Sequence, residues 1–303
     1  MKTYKIAFAG TGIIGSGLAV NAILAGNKVS LYDVISVENV QKNIMDIMDI
    51  MVRLGAVEKD QAELLMKDVV ITNDLREAVN GVDFVQECVP ERVDLKRETY
   101  RVIQEVNGKN TVIASATSAK FPTELQEGAL YPEKILVGHP YNPSYLLPLM
   151  EVCSGAQTDQ KTIDMAVSVY QSMRKVPIVC KKEVKGFIAN KISWGVMAAA
   201  KEIVENGICS VDDVDKAIMY GPGLRMAVTG QLLTMSLGVQ GGFREYEKKY
   251  SGKDQASEEY LALADGIDEA MAARTAMQGR TPEDVIKYRD MIIAEILKAQ
   301  HMF

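Results

Sequence analysis

Residues 5–26 read KIAFAGTGIIGSGLAVNAILAG. A short apolar run, residues 5–9, stops at glycine, and an apolar stretch with helical spacing, residues 13–25, follows. Between them lies Gly10-Thr11-Gly12-Ile13-Ile14-Gly15, a G-x-G-x-x-G turn leading from a strand into a helix. In that context the first glycine permits the tight turn, and the second lets a pyrophosphate approach the backbone. The third lets the helix pack closely on the strand. The free amides of Ile13, Ile14 and Gly15 at the helix start then face the phosphates. Asp33 closes the next predicted strand, where a carboxylate accepts hydrogen bonds from the adenosine ribose. Val34, Ile35 and Ser36 offer no cation for a 2′-phosphate, so the turn predicts NAD rather than NADP. FAD uses the same fingerprint and is the alternative.

Working outward, short apolar runs recur near residues 29–32, 69–72, 84–89, 111–115, 135–137, 149–152 and 177–180. Helical periodicity fills many of the gaps, including 37–54, 92–106, 122–129 and 160–174. Strands alternating with helices imply a mostly parallel sheet covered on both faces. From Gly186 onward only helical patterns remain, at 187–206, 211–220, 226–237, 258–277 and 281–300. The fold class is therefore α/β: an N-terminal Rossmann-like, doubly wound sheet followed by an all-helical domain. The predicted division is 1–183, binding the dinucleotide, and 184–303, for substrate and dimerisation. Met-, Leu- and Ala-rich segments at 226–237 and 258–277 suggest a homodimer.

A net charge of −6 with no long basic run argues against nucleic acid as a partner. No apolar run approaches ~20 residues, so no membrane span is expected. The N-terminus enters a strand within four residues and lacks a signal-peptide pattern, which makes the cytoplasm the expected location. Cys88, Cys153, Cys180 and Cys209 are widely separated, without a Cys-x-x-Cys pair. They read as buried, reduced thiols with no metal site.

Only two histidines occur. His301 is third from the C-terminus and reads as a surface residue, whereas His139 follows the apolar run KILVG. Ligands of open α/β sheets collect at the carboxyl ends of strands. Oxidising an alcohol needs a base for the hydroxyl proton, and histidine titrates near neutrality. Glu151, twelve residues on, ends the next apolar run. A carboxylate there either fixes the far imidazole nitrogen or is a solvated strand-end acid; spacing alone leaves both open.

His139-Pro140-Tyr141-Asn142-Pro143 with Glu151, Ser115-Ala116-Thr117-Ser118 and Gly186-Phe187-Ile188-Ala189-Asn190-Lys191 together resemble the signatures of the L-3-hydroxyacyl-CoA dehydrogenase superfamily. The resemblance runs over nearly the whole chain. It implies His139 as general acid/base with Glu151 as its partner, and Ser118 and Asn190 holding the substrate oxygen. It also implies Asn142 supporting the histidine loop, cofactor or substrate, and Glu91 and Lys96 as a cofactor-contacting pair.

The longer run Val137–Leu149, VGHPYNPSYLLPL, resembles the branch that contains L-carnitine dehydrogenase and L-gulonate 3-dehydrogenase, the lambda-crystallin relative. Acyl-CoA members usually carry an aromatic pair after the histidine, where this chain has proline. Gly221-Pro222-Gly223-Leu224-Arg225 resembles the turn of the free-acid branch. The substrate expected is thus a small L-3-hydroxy acid. Arg225 would grip its carboxylate through two parallel hydrogen bonds. Tyr141, Tyr145, Trp194 and Tyr220 would offer faces to a quaternary ammonium. Asn190-Lys191 departs from the Asp-Arg frequent in carnitine enzymes. The competing expectations are a short-chain 3-hydroxyacyl-CoA dehydrogenase and a non-catalytic, crystallin-like or nucleotide-sensing protein. More distant is the 3-hydroxyisobutyrate/6-phosphogluconate group, whose catalytic lysine is a histidine here.

Overall fold

The computed structural model describes residues 2–251 and 257–302. The first part alternates β1 (Lys5–Ala9), α1 (Ile13–Leu24), β2 (Lys28–Tyr32), α2 (Val37–Arg53), α3 (Lys59–Met66), β3 (Val70–Thr72), α4 (Leu75–Val79), β4 (Phe84–Glu87), α5 (Val93–Asn107) and β5 (Val112–Ser115). It continues with α6 (Pro122–Leu125), β6 (Ile135–Pro140), β7 (Leu149–Ser154), α7 (Gln160–Ser172), β8 (Val176–Cys180) and α8 (Phe187–Glu205). The strands form one sheet in the order β3-β2-β1-β4-β5-β6-β7-β8. The first six positions are the doubly wound 3-2-1-4-5-6 arrangement, with its topological switch beside β1.

Burial on both faces explains the strand sequences. In β1, Ile6 and Phe8 join one apolar cluster while Ala7 and Ala9 join the other. A sheet covered on both sides needs continuous apolar runs rather than alternation. The helices carry the complementary stripes: α2 buries Val40, Ile44, Met48 and Met51, and Ser36 caps its start by accepting from the Asn39 amide.

The sheet departs from parallel at β6 and β7, which pair antiparallel, with His139 directly opposite Glu151. The residues between them, 141–148, are too few for a crossover helix, so the chain returns alongside β6. His139 therefore lies inside β6 rather than after it, as the sequence had suggested.

The helical part continues with α9 (Val211–Tyr220), α10 (Pro222–Thr229), α11 (Gln231–Leu237), α12 (Phe243–Ser251), α13 (Glu258–Ala272) and α14 (Pro282–Ala299). One helix was expected over 226–237. Two are found, because Gly230 adopts φ +70°, which breaks the run. The polar α12 was not anticipated, and α6 is only four residues long. Leu233, Phe243, Ala264, Ile267 and Val285 form this part's own core. One compact unit ends at Gly195 and the second begins at Val196, inside α8 and later than the 183/184 division read from the sequence. Cys153 and Cys180 are buried as expected, whereas Cys88 and Cys209 are only half-buried.

A polar contact fixes the middle of the sheet. Tyr170 of α7 donates to Gln86 Oε1 (2.7 Å), and Gln86 Nε2 donates to the Ala114 carbonyl (3.1 Å). The Tyr170 ring reaches this position only because residue 138 has no side chain; a Cβ there would collide with the phenol oxygen. Gly138→Ala is expected to cost about 1–3 kcal/mol by overpacking. Urea denaturation measures it, and an unchanged midpoint would contradict this packing account.

Candidate active site

At the carboxyl end of β1, the glycine turn takes its shape from close backbone contacts. Gly10 has φ +99°, and a Cβ on it would lie 2.6 Å from the Cys88 carbonyl oxygen. A Cβ on Gly15 would collide with the Gly10 carbonyl. Gly12 differs, because a Cβ there would meet nothing within 4 Å. Its bareness is not required by the protein around it and leaves open space beside the start of α1. Gly12 caps α1 without any side-chain hydrogen bond, so the Ile13 and Ile14 amides are left to a ligand. An open cradle of this kind at a helix N-terminus fits a dinucleotide pyrophosphate.

Asp33 follows β2 and braces that turn. Its Oδ2 accepts from the Thr11 amide (2.6 Å) and Thr11 hydroxyl (2.8 Å), and its Oδ1 accepts from the Val34 amide (2.7 Å). Oδ1 accepts a second, longer bond from the Ile35 amide (3.4 Å), and the carboxylate is half-buried at the carboxyl end of β2.

β4 ends in Glu87, a buried carboxylate. Glu87 Oε1 accepts from Lys96 Nζ (2.8 Å) and the Val89 amide (2.8 Å). Its Oε2 accepts from the Tyr100 hydroxyl (2.6 Å) and Ser115 hydroxyl (2.7 Å). Its only sequence signal was an acid within an apolar run, Phe84–Val89. Desolvation first, and then the neighbouring Glu87 charge, push the Tyr100 phenol well above its ordinary ionisation range. Lys96 is 1% exposed and also reaches the Val89 carbonyl (3.3 Å) and Glu91 (3.5 Å). Its ammonium is held by protein acceptors, so it stiffens the crevice wall. Glu91 is the member of that pair with solvent access, 42% of its side chain being exposed.

Glu91 also accepts from the Thr117 hydroxyl, and Thr117 Oγ1 accepts from the amides of Ala119 (3.2 Å) and Lys120 (3.0 Å). This buried threonine shapes the turn after β5 that presents Ser118. Ser118 is exposed, and its hydroxyl makes no hydrogen bond among the described residues.

His139 and Glu151 meet across β6 and β7, His139 Nδ1 lying 2.8 Å from Glu151 Oε2. His139 is 6% exposed and Glu151 0%. The other carboxylate oxygen, Oε1, accepts from the amides of Ile188 (2.7 Å) and Ala189 (2.9 Å) at the start of α8. Burial pushes the Glu151 carboxyl up. The His139 bond and the two amides outweigh it, and the net position is below the ordinary carboxylate value. The Phe187 ring stands against the imidazole with centroids 5.1 Å apart. Gly186 and Phe187 both have positive φ (76° and 53°), the turn that points the α8 amides at Glu151. Nε2 of His139 accepts and donates no hydrogen bond among the described residues. Asn190 lies one turn into α8, half-buried, and its side chain likewise makes none.

Tyr141 and Asn142 open the loop after β6, half-buried and exposed respectively, without side-chain hydrogen bonds. In the second unit, Arg225 sits on α10, exposed, and its guanidinium makes no ion pair among the described residues. Tyr220 ends α9 and is exposed. His301 is exposed near the C-terminus.

Comparison with known proteins identifies the family. Residues 5–184 match the family described as 3-hydroxyacyl-CoA dehydrogenase, NAD binding domain, and residues 186–288 match its C-terminal domain. L-carnitine dehydrogenase of Streptomyces griseus is 33% identical, over 97% of this chain and 89% of its own length. The enzyme of the same name from Oceanobacillus iheyensis is 32% identical, over 97% of both chains. Among solved structures, FHMPC 5-dehydrogenase, an NAD+-dependent dismutase, superposes with a TM-score of 0.72 at 25% identity, covering 99% of each chain. The 3-hydroxyacyl-CoA dehydrogenase of Archaeoglobus fulgidus shares the fold with a TM-score of 0.72, over 99% of this chain and all of the other, at 23% identity. A dinucleotide turn at the sheet's switch point, and both family domains in order along the chain, lead to one assignment: the chain belongs to the 3-hydroxyacyl-CoA dehydrogenase family and is an NAD-dependent dehydrogenase acting on a CH–OH group.

Proposed function

We propose that the chain oxidises the 3-hydroxyl of a small, free L-3-hydroxy acid of the carnitine type to the 3-keto acid, with His139 as the proton-transfer residue. The observation that carries this reading is the buried His139–Glu151 pair, in which Nε2 of His139 bonds to none of the described residues. With Nδ1 donating to Glu151, Nε2 carries the lone pair and accepts the hydroxyl proton. Glu151 stabilises the imidazolium that results. Bound NAD+ supplies the hydride acceptor for the carbinol carbon, so one proton and one hydride leave the alcohol as the ketone forms. Ser118 and Asn190 donate to the substrate oxygen, and neither side chain has a competing partner among the described residues. Asn142 and Tyr141 flank it from the loop after β6. Gly10, Gly12, Ile13, Ile14, Gly15, Asp33 and Glu91 hold the dinucleotide, with Lys96 fixing Glu91 from behind.

The free-acid assignment draws on the relatives named L-carnitine dehydrogenase, matched over nearly the full chain. It draws also on Arg225, whose guanidinium, in no ion pair among the described residues, suits a carboxylate. The family's own description favours the second reading, a short-chain 3-hydroxyacyl-CoA. Against it, Lys42, one of the two cations that α2 could offer CoA phosphates, is already paired with Asp46 at 2.9 Å. We assign the helical part to substrate binding and to pairing with a second copy, because α8 leaves Ile192, Trp194 and Met197 exposed, at 55%, 51% and 67%. Four free thiols suit the reducing cytoplasm, and no described helix is long and apolar enough to cross a membrane.

Three outcomes test this reading. NADH formation should appear with L-carnitine or L-gulonate and not with L-3-hydroxybutyryl-CoA; turnover of the thioester alone would return the chain to the acyl-CoA branch and remove the role given to Arg225. His139→Ala should lower kcat on the order of 10²–10⁴-fold while NADH still binds, and near-normal turnover would sink the assignment. For Glu151→Gln, urea denaturation at several pH values gives the sign. A carboxyl whose folded pKa is lowered stabilises the protein above its unfolded value and loses that contribution as pH falls through the folded one. The advantage of wild type over the variant, about 1–3 kcal/mol, should hold at neutral pH and shrink below the ordinary glutamate value of about 4.3. A gap that does not change with pH would contradict it.

A further inference from the structure

We propose that Lys175 is a positioning residue for the reaction: its buried ammonium fixes the loop 141–148 that follows His139 and holds that loop against α1. The inference rests on the reading of His139 given above.

Lys175 stands between α7 and β8 and is 6% exposed. Among the described residues it forms no salt bridge. Its Nζ donates instead to two backbone carbonyls, those of Ser144 and of Leu147 (3.0 Å), both in the one loop. A buried cation with only carbonyl partners is costly to keep. Here both acceptors belong to the segment that carries Tyr141 and Asn142 and joins His139 to Glu151.

The same loop is moored to α1 on its other side. Ser144 Oγ donates to the Ile14 carbonyl (3.2 Å), and Asn21 Nδ2 donates to the Tyr145 carbonyl (3.0 Å). A Cβ on Gly17 would collide with Ser144 Oγ, so α1 presents a bare backbone where the loop lands. The helix that begins at the dinucleotide turn and the strand that carries His139 are therefore joined through a loop, two of whose carbonyls end on one ammonium. Ser144 is both a Lys175 acceptor and an α1 contact, so the ammonium acts at the junction.

Burial is what moves the ionisation of Lys175, down to about 8. The titratable groups on the elements around it are Tyr141 and Tyr145 of the loop, Lys161, Asp164 and Tyr170 of α7, Glu151 and Cys153 of β7, Cys180 of β8 and Arg174 in its own turn; α1 contributes Asn21, which is neutral. Tyr170 is engaged with Gln86, and none of them pairs with the ammonium. As pH rises through about 8 the ammonium becomes an amine. Its hydrogen bonds to the loop then lose their charge assistance. The loop loosens and turnover falls.

The test compares kcat and KM of wild type, Lys175→Met and Lys175→Arg from about pH 6 to about pH 10, with NADH affinity measured in the same buffers. Wild type should show a loss of kcat centred near pH 8. Lys175→Met should have a kcat lower on the order of tenfold to a hundredfold at neutral pH, without that limb and with NADH affinity unchanged. Lys175→Arg keeps a permanent charge and should move the limb to higher pH, which a role in folding alone would not do. The same limb in wild type and Lys175→Arg, or none in wild type, would overturn the proposal even if Lys175→Met failed to fold. The two readings fail separately, because turnover surviving in His139→Gln would remove the histidine's role and leave the Lys175 comparison, made with His139 intact, still readable.

Discussion

The buried carboxylate of Glu151 joins three parts of the molecule. It lies on β7, faces His139 on β6, and accepts the first amides of α8. A buried carboxylate is tolerable only when its lone pairs are satisfied by donors or charge. Here an imidazole and two amides satisfy them, and the helix start contributes a favourable field as well. The arrangement fixes the plane of the imidazole, the entry of α8, and the end of α8 from which Asn190 projects. Neutralising that carboxylate would disturb the histidine and the helix together.

Glu87 plays a parallel part at the end of β4. It gathers Lys96, Tyr100, Ser115 and the Val89 amide, and through Lys96 and Glu91 it braces the turn of Ser118. Two buried acids, Glu87 with four donors and Glu151 with three, thus hold the walls of the crevice where strands end. Among the described residues, Nε2 of His139, the Ser118 hydroxyl and the Asn190 side-chain amide have no protein partner, and the proposed chemistry needs those groups.

Much of this was legible in the sequence, for identifiable reasons. The glycine turn could be read because Gly10 and Gly15 answer steric demands that only glycine meets. The His139–Glu151 pair left a spacing but no certainty. Twelve residues is compatible with many geometries, and only the antiparallel return of β7 turns it into a direct cross-strand pairing. Glu87, Lys175 and the burial of Lys96 against Glu87 were opaque for a common cause, since charged residues read as solvated unless their partners are known; the resemblance had pointed Lys96 at the cofactor instead. Lys96 finds its partner nine residues back, and Lys175 finds its acceptors about thirty residues back, in backbone atoms that carry no sequence signal. The split at Gly230 was missed because the apolar periodicity continues across the break, and α12 because its buried face rests on Phe243 and Tyr246, set among charged residues.

The account depends on which nitrogen of His139 carries the proton in the neutral ring. Only two histidines exist in the chain, so 15N NMR of the imidazoles can resolve His139 from the exposed His301. The prediction is a proton on Nδ1, donated to Glu151, with Nε2 unprotonated and available to a substrate hydroxyl, and this preference should be lost in Glu151→Ala. A neutral His139 protonated on Nε2 in the wild-type protein would contradict the account, because the nitrogen facing the substrate would then have no lone pair with which to accept its proton.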